Sequence, residues 1–269
     1  MNPQFNFEKI GRPLCVVVGG KFDKQVIYLC VEEKEKPKYP FTYMDFGKGE
    51  GENVKLQQVP NTKSEREILY ITGASGSGKS TYTRKYCEQY KKKYPDRDIL
   101  LFSSLPNDES LDDVKPKRIK IDDRLIDEPI TPEMLSDSLV IFDDVDVISN
   151  KKHREAVLNI ANQVLEIGRH YKITAIFTNH LPTNRGDTRR ILNESHEVIY
   201  FPHSGTAMGT KRLLECYVGL DGDMMKKIKK MPTRWCCIFK NYPMVLMTER
   251  LIKLANEDSD DEKDCDSDD

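Results

Sequence analysis

The run Gly73-Ala74-Ser75-Gly76-Ser77-Gly78-Lys79-Ser80-Thr81 constrains this chain more than any other stretch of it. It satisfies G-x-x-x-x-G-K-[ST] in full. It also follows a short apolar segment of strand character, Ile68–Thr72, and opens a polar segment from about Lys79 to Tyr94 that Pro95 stops. Glycines in such a loop let successive backbone N–H groups converge on an anion, and the helix N-terminus adds partial positive charge. Read this way, Gly73 through Thr81 bind phosphates, Lys79 spans the β- and γ-phosphates of a nucleotide, and the Ser80 hydroxyl ligates Mg²⁺.

A second signal completes the first. Leu139-Val140-Ile141-Phe142 is fully apolar, as a central strand must be, and it ends in Asp143-Asp144. The carboxyl ends of strands in open α/β sheets face the ligand crevice. Asp143 is therefore the expected Mg²⁺-associated acid, and Asp144 the group that orients or deprotonates an attacking water, with Asp146 near enough to share that task. Ile173–Thr178 delivers Thr178, Asn179 and His180 to the same edge, and Asn179 is the favoured contact to a γ-phosphate or lytic water among the three. Arg169, between the preceding helix and this strand, is placed to stabilise charge on a neighbouring subunit's nucleotide.

The rest of the pattern gives the fold class. Strands expected at 68–72, 99–103, 117–121, 139–142, 173–178 and 197–201 alternate with helices, one of them marked by Ala156, Val157, Ile160, Ala161, Val164 and Leu165 at helical spacing. This predicts an α/β P-loop NTPase with a mostly parallel sheet flanked by helices over residues 67–256. After Gly209 come a helical stretch (Lys211–Val218), a lysine-rich helix (Asp223–Lys230) and two short strands near 235–239 and 244–248. Residues 1–66 read as a small β-rich unit: a hairpin from Leu14–Val18 and Gln25–Val31, a charged turn at Glu32–Lys38, a glycine-rich loop at Gly47–Gly51 and a third strand at Val54–Val59.

Residues 257–269 carry nine acids and one lysine, a net −8, which leaves +6 on the preceding 256 residues of a chain whose total is −2. That segment, nearly free of apolar residues, is an expected disordered acidic tail. A basic body with an acidic tail fits contact with a polyanion, or a tail that only solubilises. No apolar run approaches the ~18 residues of a membrane span, and the N-terminus lacks the order of a secretory signal. Seven cysteines without a CxxC pair are expected to be reduced thiols.

With these residues in place the chain resembles a known family. GASGSGKS, LVIFDDV, VLEIGRHYKITAIFTNH and RRILNESHEVIYFPHSGT, in that order, resemble the poxvirus-type genome-packaging ATPases of nucleocytoplasmic large DNA viruses, of the FtsK and HerA class. The segment LLECYVGLDGDMMKKIKKMPTRWCCIFKNYP is similar to non-poxviral members. The resemblance spans roughly Glu67 to Thr248. It implies ATP hydrolysis with Mg²⁺ in a homo-oligomeric ring that drives double-stranded DNA into a preformed capsid, with a capsid or portal component as partner. The assembly site in the host cytoplasm, and the virion, are the implied locations. It carries over Lys79, Ser80, Asp143, Asp144 and the inter-subunit Arg169. The sequence departs from the class at TNH, where glutamine is frequent, and in residues 1–66, which have no counterpart in the shorter poxviral pattern.

A motor of this kind grips DNA through phosphates. Candidates are Arg185, Arg189 and Arg190 after the sensor strand, Lys211 and Arg212, and Lys226, Lys227, Lys229 and Lys230, with Arg189 and Arg190 favoured as a loop leading from the nucleotide edge. The alternatives are a P-loop kinase, for which Pro106–Glu133 lacks a clear lid signature, and a non-hydrolysing assembly protein, against which the intact Asp143 and Asp144 argue.

Overall fold

The structure is a computed structural model that describes residues 3–31, 36–47, 53–64, 66–182, 185–204 and 206–255. The expected acidic tail at 257–269, most of the expected turn at 32–38 and most of the glycine-rich loop at 47–51 lie outside the described residues.

The chain opens with five short strands: β1 (Gln4–Asn6), β2 (Arg12–Val18), β3 (Val26–Cys30), β4 (Tyr43–Asp45) and β5 (Lys55–Gln58). Four of them make an antiparallel sheet in the order β1-β3-β2-β5. The β2–β3 hairpin is the one its β-branched runs predict, and β5 is the expected third strand. β4 instead leaves this sheet and pairs with the larger one. Three-residue strands such as β1 and β4 carry too little alternation to be read from sequence.

The larger sheet is built from β6 (Ile68–Thr72), α1 (Lys79–Lys93), β7 (Ile99–Ser103), α2 (Glu109–Asp112), β8 (Lys117–Ile119), α3 (Arg124–Asp127), β9 (Leu139–Asp143), α4 (Lys151–Ile167), β10 (Thr174–Asn179), α5 (Arg185–Glu194) and β11 (Glu197–Tyr200). It continues through α6 (Ala207–Arg212), a π-helical turn at Leu213–Val218, α7 (Gly222–Lys230), β12 (Cys236–Phe239), β13 (Val245–Thr248) and β14 (Leu251–Leu254). Its ten strands run β4-β14-β13-β12-β11-β6-β10-β9-β7-β8. From β11 to β8 all neighbours are parallel, as the strand–helix alternation predicts. From β11 outward through β12, β13, β14 and β4 they are antiparallel.

Strand alternation sends side chains to two cores. Ile68, Tyr70, Val140 and Phe142 pack beneath α4 and α5 on one face. Leu69, Ile71, Leu139 and Ile141 face α1, and Phe5, Leu14, Val17 and Leu29 of the small sheet join that same core. Phe102, Phe142 and Phe177 stack across β7, β9 and β10 with centroids 5.1 and 4.9 Å apart, which ties the three strands into one register.

Two sequence expectations change here. Arg185–Glu194 is helix α5 rather than a loop from the nucleotide edge, because Thr188, Ile191 and Leu192 form a buried i, i+3, i+4 stripe in which the first member is polar. Arg190, favoured as a DNA contact, pairs with Glu166 of α4 at 2.7 Å. Among the described residues no helix is long and apolar enough to cross a membrane, and the six described cysteines are free thiols.

Candidate active site

The phosphate loop leaves β6 and enters α1 at the carboxyl edge of the parallel strands. Its glycines are there for space and for backbone conformation. A Cβ on Gly73 would lie 2.6 Å from Ser77 Oγ and 2.8 Å from the Phe201 ring, and Gly78 sits at φ +113°. α1 begins at Gly78 without a side-chain cap, so its first N–H groups have no side-chain acceptor at the helix start.

Register brings three polar side chains into one row. Ser103 of β7, Asp143 of β9 and Thr178 of β10 are direct partners across the parallel ladder. Ser103 Oγ donates to Asp143 Oδ2 at 3.0 Å, and Thr178 Oγ1 donates to Asp143 Oδ1 at 2.7 Å. Thr178 Oγ1 also accepts from the Asp144 backbone N–H at 3.0 Å. Asp143 is buried, and this ladder fixes its carboxylate.

Asp144 follows in the left-handed region at φ +45°, a conformation aspartate tolerates better than most side chains. Its Oδ2 accepts from His180 Nε2 at 2.9 Å, and its Oδ1 lies 4.0 Å from Lys79 Nζ. Lys79 Nζ donates to Gly73 O at 3.1 Å and meets His180 Nδ1 at 3.2 Å. His180 thus spans the loop lysine and the second acid. Burial pushes the Asp144 carboxyl above its ordinary range; Lys79 opposes that shift, the neighbouring Asp143 adds to it, and His180 opposes it.

Ser80, expected on Mg²⁺, donates to Asp108 Oδ2 at 3.0 Å. Asp108 caps α2 through its other oxygen, which accepts from Ser110 N and Leu111 N. The donor set is a hydroxyl with carboxylates at Asp143 and Asp108, hard oxygens that suit Mg²⁺ held together with substrate phosphates. Among the described residues no group of three or more histidine, cysteine, aspartate or glutamate side chains is placed to hold a metal ion.

Asn179, favoured as the sensor, turns away: its Nδ2 donates to Tyr70 Oη at 3.2 Å, and its backbone O accepts from Gly73 N at 3.2 Å. The residue brought to Lys79 and Asp144 is His180. Arg169 is exposed, after α4 and before β10, at the sheet edge opposite the phosphate loop. Sequence reasoning missed Asp108 and Arg234. The latter, just ahead of β12, donates from Nε to Ser77 O at 3.2 Å. Neither lies within a motif, and Asp108 is legible only as the cap of a four-residue helix.

No family model matches the chain. It is 38% identical over 250 residues to "Uncharacterized protein V3" of Sputnik virophage, covering 92% of this chain and 97% of the relative. The chain belongs to the family of that virophage protein. Among solved structures it superposes on B204, the DNA-packaging ATPase from Sulfolobus Turreted Icosahedral Virus, with a TM-score of 0.50 and 15% identity, over 70% of this chain and 98% of B204. This likeness gives the fold: a P-loop α/β sheet flanked by helices. The B204 NTPase of Sulfolobus turreted icosahedral virus 2, in complex with ATP-gammaS, is similar at a TM-score of 0.46 and 13% identity over 69% of this chain and 97% of that one, too distant a superposition to bear on the site.

Proposed function

We propose that the chain hydrolyses ATP with Mg²⁺ and uses the energy to move double-stranded DNA into a viral capsid. The observation that carries the catalytic half is Lys79, His180 and Asp144 joined in one polar chain at the mouth of the phosphate loop. In the working cycle Lys79 exchanges Gly73 O and His180 for the β- and γ-phosphates. Ser80 and Asp143 would hold the cation, and Asp144 orients the attacking water. His180, released from Lys79, keeps Asp144 aimed through Nε2. Mg²⁺ bound there would supply positive charge against the charge that develops on the phosphates.

Arg169 lies on the wrong edge of the sheet to serve its own subunit, which supports a role on a neighbour's nucleotide in a ring. Mixing Arg169→Ala subunits with Asp144→Asn subunits restores part of the activity if the site is shared, and restores none if it is not. The DNA half of the proposal is supported by the likeness of the fold to a protein described as a DNA-packaging ATPase, by the +6 charge outside the tail, and by the exposed Lys229 and Lys230 at the C-terminal end of α7. The assembly site in the host cytoplasm and a capsid or portal partner follow from the same reading.

The deciding experiment is ATP turnover with and without long duplex DNA over a salt series. Stimulation that fades as salt rises is the expected result, because phosphate contacts release counterions. ATP consumption that depends on a small acceptor and ignores DNA would replace the motor with a kinase.

A further inference from the structure

Between β11 and β12 the chain leaves the sheet and carries α6, the π-helical turn and α7 before it returns. Both ends of this excursion touch the phosphate loop. At its start Ser204 Oγ accepts from Ala74 N–H at 3.2 Å. At its end Arg234 Nε donates to Ser77 O at 3.2 Å, so close to the loop that a Cβ on Gly78 would lie 3.3 Å from that nitrogen. His203 Nε2 meets Met231 O at 3.2 Å, which ties the two ends to each other as well as to the loop.

The peptides held in this way are two that a nucleotide would disturb. A peptide unit is planar and nearly rigid, so its C=O and N–H turn together. The unit that gives its Ala74 N–H to Ser204 offers its other end, Gly73 O, to Lys79 Nζ at 3.1 Å. Once Lys79 moves to the β- and γ-phosphates, that carbonyl loses its cation. The unit that gives Ser77 O to Arg234 has the Gly78 N–H at its other end, one of the loop donors that turn to a phosphate. Occupancy of the loop would therefore reorient both units, and Ser204 and Arg234 are bonded to their far ends.

α7 supplies the other end of the connection. Asp221 caps it by accepting from Asp223 N and Met224 N, and Met225 and Ile228 are buried beneath it, so the helix is held as one piece. Lys226 pairs with Asp223 at 2.9 Å, while Lys229 and Lys230 stand exposed in the last turn. Lys230 is four residues from Arg234, which puts their Cα atoms at most about 14 Å apart. We propose that this excursion couples the phosphate loop to DNA: occupancy of the loop, passed through Ser204 and Arg234, sets the grip of Lys229 and Lys230 on the phosphodiester backbone of a duplex. Ser204 and Arg234 are positioning residues here, since they act through the loop and α7. The coupling rests on the ATP-driven DNA motor proposed above and supplies the path from its nucleotide to its DNA.

The test measures the affinity of the full chain for a labelled duplex at fixed salt and Mg²⁺, with and without a saturating non-hydrolysable ATP analogue. The two wild-type affinities are expected to differ by about fivefold or more, and the duplex should change analogue affinity by the same factor. In Arg234→Ala the two duplex affinities are expected to come within about twofold of each other. That side chain is exposed and its backbone N–H still donates to Glu249 Oε2, so folding is not threatened. Arg234→Lys, which keeps a charged donor, should recover part of the difference, and Ser204→Ala should lose part of it. The ratio reads coupling alone, because a change in DNA binding common to both states cancels in it. Lys229→Ala with Lys230→Ala should weaken the duplex about threefold or more in both states, and no weakening overturns the grip assigned to α7. An Arg234→Ala chain with the wild-type ratio overturns the coupling, as does a wild-type chain that binds duplex equally in both states; the two binding sites survive either result. A wild-type chain that binds no duplex removes the DNA half of the proposed function, and the coupling with it.

Discussion

On the β9–β10 flank of the phosphate loop each carboxylate oxygen of Asp143 and Asp144 has a polar neighbour, whereas on the β11–β12 flank the Gln58 amide nitrogen is buried with none. The first flank is a set of charges already balanced against one another. Lys79, His180 and Asp144 hold each other, and Ser103 and Thr178 hold Asp143. The second is a recess with Tyr82, Phe201 and Trp235 in its walls. The polar flank suits the chemistry proposed for it. Phosphoryl transfer needs groups fixed in advance of the charge that develops. The polar flank would govern turnover.

Lys79 stands at the centre of the polar flank, and its loss should be the most damaging. Lys79→Ala is expected to lower ATP turnover by about a thousandfold or more and to weaken nucleotide binding as well, measured by phosphate release and equilibrium titration. Asp144→Asn isolates the polar flank. Its kcat should fall by about a hundredfold or more while nucleotide affinity stays within about threefold; a parallel loss of binding would dissolve the separation between the flanks. His180→Ala should cost kcat about tenfold to a hundredfold, and His180→Gln, which keeps a donor and an acceptor, should recover part of it. If Asn179→Ala harms kcat more than His180→Ala does, the sensor is the residue that the sequence favoured and the geometry turned away.

The smallest effect concerns the base of the β11 flank. His196 Nδ1 accepts from Ile68 N–H at 3.1 Å, joining the start of β11 to that of β6. Burial, with Arg66 and Lys240 nearby, holds this imidazole at about 4 instead of its ordinary 6.5. Its contribution to stability is therefore present above pH 6.5 and is lost as pH falls toward 4, because the unfolded chain takes up the proton first. The loss across that range should be on the order of 2 kcal/mol. Urea midpoints at pH 7 and pH 5 should converge in His196→Asn, which keeps an acceptor and does not titrate.

The parallel half of the large sheet was legible because its signals are local. Apolar runs of strand length alternate with helical spacing, and Gly73–Thr81 and Leu139–Asp144 each complete their chemistry within a few residues. The antiparallel extension was less so: β14 and β4 are short, and their partners lie across the fold. Helix α5 was hidden by Thr188 in its buried stripe. Asp108, Arg234 and Gln58 meet Ser80, Ser77 and Tyr82 from 28, 157 and 24 residues away, and no motif links such distances.

By itself the sequence determined the phosphate loop, the acidic strand end and the layered α/β plan, since each depends on the spacing of neighbouring residues and on backbone preferences that act over a few positions. Only the tertiary structure decided which of Thr178, Asn179 and His180 meets Lys79. Successive side chains on a strand point to opposite faces, so Thr178 and His180 turn toward the acids and Asn179 toward Tyr70. That choice is set by the register of β10 between β6 and β9, a property of three strands held together and of no single one.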